Sequence, residues 1–375
     1  MSKLPHVGTT IFTIMSKLAN DTQAINLSQG FPNFPVDPIL VNILRENASK
    51  NVHQYMPMTG FPDLLSKIGA LIESSYGRSI DTQTELLITA GATQGIFTTI
   101  LALVDQGQEV VVLDPSYDCY EPAILLAGGK AKRISLSSDF LPDWDLIYDS
   151  VNDSTRMLII NSPHNPSGRV WTVEDLEKLE LLMAKYPHLL LLSDEVYEYI
   201  TFEQKHTSIN SRPAIVDRSI IISSFGKTFH ITGWKMGYLV APKHLMTEIN
   251  KVHQFNVFSV NSVAQASLST YLDHVDVSTL GAFYQKKRDL FQKLMAPSRF
   301  KLLPCEGTYF QTVDYSEISR LKDVDFCREL TIKHGVAAIP ISVFNASQKD
   351  QKIIRFCFAK DDETLIKATE LLCKI

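Results

Sequence analysis

The stretch Leu189–Tyr197 (LLLLSDEVY) carries the pattern that decides the fold, because a continuous apolar run leads directly into acidic residues. Similar short apolar runs recur at Leu86–Ala90, Glu109–Pro115, Ala131–Leu136, Arg156–Pro163, Ser219–Lys227 and Gly237–Pro242. Runs in which polar and apolar residues do not alternate are typical of strands buried on both faces of a parallel sheet. Segments between them, such as Thr93–Val104 and Val173–Lys185, have helical spacing. The sequence therefore predicts a doubly wound α/β layer.

The regions on either side of this layer have a different pattern. Leu27–Pro38 (LSQGFPNFPVDP) contains three prolines and a glycine, which predict an extended segment. The predicted elements after Tyr271 are helices at Ser278–Met295, Asp323–His334 and Asp362–Lys374, and strands at Phe300–Val313, Val336–Ile341 and Ile353–Phe358. We therefore expect an N-terminal arm (1–37) that joins a smaller α+β domain (276–375), and a large domain (38–275) between them.

Composition excludes several classes of protein. The 375 residues are 45% apolar and 21% charged, and Lys+Arg 36 against Asp+Glu 41 gives a net charge of −5. This balance argues against nucleic acid or an anionic membrane as the main partner, and no apolar run is long enough for a membrane span. The five cysteines are scattered without a C-x-x-C pair, so we expect free thiols, a cytoplasmic location and no metal site.

Two predicted loops at strand ends contain residues that suit a ligand. In an open α/β sheet, ligands bind where strands end and helices begin. Gly91–Gly95 (GATQG) leads into a helix and is suited to a phosphate, although an ordinary strand-to-helix turn has the same composition. Asn161–Gly168 (NSPHNPSG) has the residues of a simple turn, and it also allows Asn165 to present its amide to a ligand.

Two further strand ends carry charged groups. Asp194 is either a helix cap or loop acid, or a buried carboxylate that pairs with a protonated ring nitrogen or a basic side chain. Gly226-Lys227-Thr228 resembles a nucleotide-binding loop, but Ile221 stands where that motif needs a glycine. Lys227 is then either an ordinary solvated lysine, or an amine whose pKa is lowered by burial and which is suited to Schiff-base chemistry. A cofactor with a phosphate, a pyridinium nitrogen and an aldehyde would use all four features: the Gly91–Gly95 turn, the Asn165 loop, Asp194 and Lys227.

The segment Ser223–Tyr238 (SSFGKTFHITGWKMGY) is similar to the lysine signature of the pyridoxal-phosphate-dependent aminotransferases of fold type I, class I/II. Further matching motifs are LSQGFPNFP, QYMPMTGFPDLL (Gln54–Leu65), NSPHNPSG, SDEVY, EGTYF (Glu306–Phe310) and RFCFAK (Arg355–Lys360). Within the family, the chain most resembles bacterial methionine aminotransferases and the kynurenine/glutamine aminotransferases. The resemblance implies a mostly parallel seven-stranded sheet with helices on both faces, plus a smaller α+β domain.

The resemblance also implies a role for each residue around the ring of pyridoxal 5′-phosphate. Lys227 would link covalently to the cofactor aldehyde and move the substrate proton. Asp194 would pair with the ring nitrogen, and Asn165 and Tyr197 would hydrogen-bond the phenolic oxygen. Tyr117 would stack on the ring face.

Other residues would hold the phosphate and the substrate. The resemblance assigns the phosphate to Ala92, Thr93, Gln94, Ser224 and Lys235, with Tyr55 from the neighbouring subunit of a homodimer with shared active sites. Arg355 would bind the substrate carboxylate, assisted by Gly30 and Asn165, because a planar guanidinium matches a carboxylate bidentately. The family pattern also implies cis peptide bonds at Asp114–Pro115 and Asn165–Pro166.

The predicted function is a ping-pong transfer of the amino group of an apolar or aromatic amino acid, with methionine favoured, to a 2-oxo acid. The candidate substrate pocket consists of Phe12, Phe31, Tyr55 and Phe258, each of which is also compatible with core packing. A kynurenine/glutamine transaminase or a C–S β-lyase would use the same site. A cofactor-binding regulator is disfavoured because no segment remains for DNA binding, and a nicotinamide-dependent dehydrogenase is disfavoured because the glycine fingerprint is missing.

Overall fold

The computed structural model describes residues 2–375. Its helices are α1 (Ile11–Thr22), α2 (Pro38–Ala48), α3 (Pro62–Tyr76), α4 (Ala92–Leu103), α5 (Tyr120–Leu126), α6 (Trp144–Ser150), α7 (Val173–Lys185), α8 (Phe225–Thr228), α9 (Lys243–Asn256), α10 (Ser262–Tyr271), α11 (Leu280–Met295), α12 (Asp323–His334) and α13 (Asp362–Leu372). Its strands are β1 (Ile25–Asn26), β2 (Leu86–Thr89), β3 (Glu109–Asp114), β4 (Lys130–Ser135), β5 (Thr155–Asn161), β6 (Leu190–Asp194), β7 (Ser219–Ser224), β8 (Gly237–Val240), β9 (Lys301–Leu302), β10 (Phe310–Asp314), β11 (Val336–Ala337), β12 (Ile339–Pro340) and β13 (Ile353–Cys357).

Seven strands form the main sheet, in the order β2-β8-β7-β6-β5-β3-β4. Strands β7, β6, β5, β3 and β4 are parallel, and β8 is antiparallel to both β2 and β7. Every residue of β6 and β7 is buried, as expected for strands covered on both faces. The predicted mostly parallel seven-stranded sheet is therefore confirmed.

Helix α7 shows how local sequence fixes the elements that cover this sheet. Thr172 and Asp175 form a capping box: the Thr172 side chain accepts from the Asp175 N–H, and the Asp175 carboxylate accepts from the Thr172 N–H at 2.9 Å. Leu176, Leu179 and Leu182 recur at helical spacing and are buried in the core. The predicted bounds Val173–Lys185 and the Thr172 cap are confirmed.

The C-terminal strands form a separate antiparallel sheet in the order β12-β13-β10-β9. The prediction of one strand over Phe300–Val313 was wrong, because Pro304–Tyr309 includes Pro304, Gly307 and the positive φ of Thr308, and separates β9 from β10. The N-terminal arm packs here, with β1 parallel to β11 and α1 against α12. This placement agrees with the expected arm, while the domain boundaries stay predictions.

Several smaller features complete the fold. The predicted cis peptide bonds at Asp114–Pro115 and Asn165–Pro166 are present, with a third at Ser162–Pro163. All five cysteines are free. None of the helices within residues 2–375 is long and apolar enough to cross a membrane.

The two sheets are joined by backbone hydrogen bonds between the segment after β6 and the loop before β10. Thr201 and Gly307 form an antiparallel bridge, and the Thr308 N–H donates to the Ile200 carbonyl at 2.8 Å. The N–H groups of Glu306 and Gly307 both donate to the Gly168 carbonyl, at 2.8 and 2.9 Å. This junction fixes how the smaller sheet sits over the carboxyl ends of the large one.

A glycine in the first turn of α11 makes this junction possible. A Cβ at Gly281 would overlap the Thr201 carbonyl oxygen. Although alanine favours helices, we expect Gly281→Ala to lower the free energy of unfolding by about 1–3 kcal/mol, because the backbone must shift. Urea unfolding measures the change. Gly8→Ala is the control, since no atom lies within 4 Å of its added Cβ; equal losses in the two variants would contradict the close packing.

Candidate active site

A cavity lies at the carboxyl ends of β5, β6 and β7, where the sheet topology places a ligand site. The predicted residues that line it are Ala92, Thr93, Tyr117, Asn165, Asp194, Tyr197, Ser224, Lys227 and Lys235. A second cavity shares some of these residues and extends toward the smaller sheet. The predicted residues of that second lining are Phe12, Gly30, Phe31, Tyr117, Asn165, Tyr197, Lys227 and Arg355.

Asp194 ends β6 and is buried. The Tyr120 hydroxyl donates to its Oδ2 at 2.6 Å, and the Val196 N–H donates to its Oδ1 at 3.3 Å. Burial raises the pKa of this carboxyl to about 6, although both hydrogen bonds act to lower it. A cationic partner in the cavity would therefore stabilise the carboxylate strongly.

Lys227 lies in α8, the short helix that follows β7. Its partly buried amine donates to the Gly30 carbonyl at 3.2 Å and lies 5.7 Å from the ring centres of Tyr197 and Tyr309. Burial lowers the pKa of the amine to about 8. Since β6 and β7 are adjacent and parallel, Asp194 and Lys227 reach the same cavity from neighbouring strands.

The start of α4 lies at the end of the cavity where a phosphate is predicted to bind. Gly91 has a φ of 78°, and a Cβ there would lie 3.4 Å from the Lys235 Nζ. Gly237 is packed more closely still, since its Cβ would lie 3.0 Å from the Ala92 N–H nitrogen. Backbone N–H groups at a helix N-terminus beside a lysine favour a phosphate.

The side chain of Gln94 does not line this cavity. Its Oε1 accepts from the Ala90 N–H at 2.9 Å, and its Nε2 donates to Thr98. These contacts hold the side chain against its own strand-helix turn, so the structure gives no support to the predicted phosphate contact through it.

Arg355 extends from β13 in the smaller sheet and is buried. Its Nη1 donates to the Asn165 Oδ1 at 2.6 Å, its Nη2 donates to the Ser28 carbonyl at 3.3 Å, and its guanidinium lies 3.8 Å from the Phe310 ring centre. Within residues 2–375 it has no carboxylate partner, and its Nε–H has no acceptor. A buried cation without an anion is suited to a carboxylate ligand.

Phe12 and Phe31 line the second cavity, but Tyr55 and Phe258 do not. Phe258 has a φ of 66° and turns away after α9 ends. It packs edge-on against Tyr55 at 5.3 Å, where the two side chains are 44% and 81% exposed. The expectation that Phe258 lines the pocket of its own chain is not supported, because this turn directs its ring to the surface.

The structure adds residues that contact the predicted site residues and that the sequence analysis did not single out. Tyr120 donates to Asp194, and Asn161 orients Asn165 by accepting from its N–H at 2.8 Å. Tyr309 and Phe310 lie beside Lys227 and Arg355. Both Tyr309 and Phe310 belong to the EGTYF motif, which supported the family resemblance in the sequence analysis but was given no role of its own. In the described part of the chain, no three His, Cys, Asp or Glu residues are grouped to hold a metal ion.

Comparison with known proteins identifies close similarity over the whole chain. The family model for aminotransferase class I and II matches residues 22–372. The methionine aminotransferase of Escherichia coli (strain K12) is 47% identical over 99% of this chain and 97% of that protein. Human kynurenine–oxoglutarate transaminase 3 is 33% identical over 99% of this chain and 89% of that protein. A crystal structure that identifies a methionine aminotransferase function in E. coli matches with a TM-score of 0.97 at 47% identity, covering 100% of this chain and 99% of that one.

The buried Asp194 makes the stability of the protein without bound cofactor depend on pH. Its pKa of about 6 exceeds the ordinary 3.8, so the folded state holds this proton more tightly and loses stability as the pH rises from about 4 to 6. We expect Asp194→Asn to be more stable than the parent at pH 8, by about 1–3 kcal/mol, and the difference to shrink toward pH 4. Urea unfolding between these pH values measures it.

The matched control is Asp139→Asn, which removes an exposed carboxylate. Its effect should be small at every pH. An Asp194→Asn variant that is less stable than the parent at pH 8, or a difference that does not change with pH, would contradict the burial of this charge.

Proposed function

Because the chain belongs to the aminotransferase class I and II family, we propose that it transfers the amino group of an apolar or aromatic amino acid, above all methionine, to a 2-oxo acid. The reaction is ping-pong, so the donor leaves as its 2-oxo acid before the acceptor enters. The carrying observation is that the Lys227 amine and the unpaired Arg355 guanidinium line one cavity with aromatic walls. The similarity to a methionine aminotransferase over the whole chain supports this substrate.

The family in general uses pyridoxal 5′-phosphate, and the cavity residues fit this cofactor. The N-terminus of α4, Ser224 and Lys235 offer donors and a positive charge for the phosphate. The buried Asp194, whose pKa is raised by burial, suits a protonated ring nitrogen, which would stabilise its charged form. When bound, the cofactor supplies an aldehyde that captures the amino group and a ring that accepts electrons from the substrate Cα.

Three further residues line the same cavity as Asp194 and Lys227. The side chains of Asn165 and Tyr197 line the cavity there and are assigned to the cofactor's phenolic oxygen. Tyr117 lines both cavities and is assigned to the ring face. The Asn161 contact to the Asn165 backbone keeps this loop in place.

Lys227 is proposed to take the proton from the substrate Cα. Its pKa of about 8 means that a larger fraction of the amine is neutral, and so basic, near neutral pH than for an ordinary lysine. A lysine at its ordinary pKa of 10.5 would be almost entirely protonated. Burial at the end of β7 thus prepares the amine for proton transfer.

Arg355 is proposed to bind the substrate α-carboxylate. Its guanidinium is fixed by Asn165, the Ser28 carbonyl and the Phe310 ring, so little side-chain freedom remains to be lost on binding. Gly30 lies beside it in the same cavity lining. A bidentate carboxylate would supply the negative charge that this buried group lacks.

The donor side chain is proposed to contact Phe12 and Phe31. The only basic residues in this lining are Lys227 and Arg355, so a second substrate carboxylate would have no cationic partner. Methionine and aromatic amino acids fit better than aspartate, and apolar pockets discriminate weakly among them. The similarity to kynurenine–oxoglutarate transaminase favours kynurenine as a further donor. The β-lyase alternative and the cytoplasmic location stay predictions.

A panel of amino donors mixed with the enzyme in single turnover, without acceptor, tests the substrate proposal. Methionine and phenylalanine should form their 2-oxo acids at least about tenfold faster than aspartate, because aspartate adds an unpaired buried charge. Lys227→Ala should abolish turnover. Normal turnover in that variant, or a preference for aspartate, would refute the proposal. Pyruvate release from a cysteine S-conjugate without acceptor would instead indicate a β-lyase.

The proposal also includes a homodimer in which Tyr55 of one subunit reaches the phosphate in the other. Tyr55 is 81% exposed and does not line the cavity of its own chain. Phe258, which packs against Tyr55, is 44% exposed, and Phe255, three residues earlier in the chain, is 85% exposed. An exposed apolar patch of this kind is typical of a surface that binds another protein, and most oligomers pair identical chains.

Hybrid dimers test whether Tyr55 acts across the interface. Tyr55→Ala should weaken cofactor retention and activity, and Lys227→Ala should be inactive. When the two variants are unfolded, mixed and refolded together, hybrids should contain one intact site, which restores about a quarter of the parent activity for random pairing. Each variant refolded alone is the control. If Tyr55 served only its own chain, mixing would restore nothing.

A further inference from the structure

The carbonyl oxygen of Gly30 accepts two hydrogen bonds at the centre of the candidate site. One comes from the Lys227 amine at 3.2 Å and the other from the Tyr309 hydroxyl at 2.7 Å. Tyr309 is fully buried. It belongs to the EGTYF motif, and the reaction proposed above assigns no role to this motif. The Gly30 carbonyl therefore links a buried tyrosine to the proposed base.

The surroundings of Gly30 show why its position depends on Tyr309. Gly30 belongs to the extended segment Leu27–Pro38, between β1 and α2, where it forms no regular element. A Cβ on Gly30 would lie 2.9 Å from the Phe310 ring, so the segment packs closely on this aromatic pair. Apart from the contact with Lys227 itself, the hydrogen bond from Tyr309 is the polar contact that holds the direction of the Gly30 carbonyl.

We propose that Tyr309 is a positioning residue for amino-group transfer: its hydroxyl holds the Gly30 carbonyl at the place where this carbonyl orients the Lys227 amine. The inference rests on the proposed role of Lys227 as the base. A lysine amine on a four-carbon chain has many rotamers, and proton transfer requires the nitrogen to be held near the substrate Cα. A fixed acceptor limits those rotamers without blocking the lone pair that takes the proton.

The matched variants are Tyr309→Phe and Tyr284→Phe. Both tyrosines are fully buried, and their rings lie 5.7 Å apart, but the Tyr284 hydroxyl contacts His230 instead of Gly30. Each variant loses one oxygen atom and its hydrogen bond to Gly30 or to His230, and Tyr309→Phe also removes a hydroxyl contact with Tyr197. Any effect of losing a buried hydroxyl in general will therefore be present in both variants, while an effect on Lys227 should be confined to Tyr309→Phe.

The first measurement is steady-state kinetics with methionine and with Cα-deuterated methionine. We expect Tyr309→Phe to lower kcat by about tenfold, with little change in KM, because the base is misplaced while the carboxylate site remains. The deuterium isotope effect on kcat should rise, since proton removal becomes slower relative to the other steps. Tyr284→Phe should keep the parent values for both.

The second measurement uses cofactor-free protein, in which the Lys227 amine is free. The rate at which an amine-specific reagent modifies Lys227, followed by mass spectrometry across pH, gives the pKa of this amine. Besides burial, the groups that shift it are Cys357, Arg355, Asp194 and Lys235, and neither variant changes them. A carbonyl that accepts from the protonated amine stabilises the charged form, so Tyr309→Phe should lower this pKa further, while Tyr284→Phe should not.

Parent-like isotope effects and labelling in Tyr309→Phe would overturn the inference. A change confined to the absorbance of the bound cofactor would also overturn the inference. The Tyr309 ring packs edge-on against Tyr197 at 5.2 Å, so Tyr309 would then act through Tyr197 instead of through Lys227. If Tyr309→Phe does not fold, Tyr309→Met replaces it, since methionine fills irregular space without a hydroxyl. A parent enzyme without transaminase activity would refute the proposed function instead, and the labelling would still test the Tyr309–Gly30–Lys227 contact.

Discussion

The burial of one carboxyl and one amine at the ends of two adjacent strands is the constraint on which the site depends. Asp194 is the last residue of β6 and Lys227 lies just after β7, and every residue of both strands is buried. Burial disfavours the charged form of each, so the pKa of the acid rises to about 6 and that of the amine falls to about 8. Each group is therefore easier to neutralise than it would be in water, and a ligand that carries a cationic nitrogen and an aldehyde would satisfy them together.

The smaller sheet supplies the complementary half of the site. Arg355 reaches over the end of the large sheet and binds Asn165 from the loop after β5. The contact is possible because the junction around Gly168 and Gly307 leaves no room for side chains: a Cβ at Gly168 would lie 3.1 Å from the Gly307 carbonyl oxygen. The position of Arg355, the proposed ligand of the substrate carboxylate, is thus set by backbone packing between the sheets.

The strands, the helix starts and the residues at strand ends could be predicted from the sequence. Short apolar runs located the seven strands, Thr172 located the start of α7, and the positions of Asp194 and Lys227 followed from where apolar runs stop. Tyr309 was not assigned a role, because its contact with Gly30 spans 279 residues and depends on how the two sheets pack. The directions of the Gln94 side chain and of Phe258 were not predictable for a related reason, since a single side-chain rotamer or one positive φ decides which way each points.

The most direct test of this account is to locate the lysine that reacts with the cofactor aldehyde. The enzyme is incubated with pyridoxal 5′-phosphate, reduced with borohydride, digested and analysed by peptide mass spectrometry. The account predicts one pyridoxyl group per chain, on the peptide that contains Lys227. A label on a different lysine, or a protein that remains unlabelled at saturating cofactor, would contradict it.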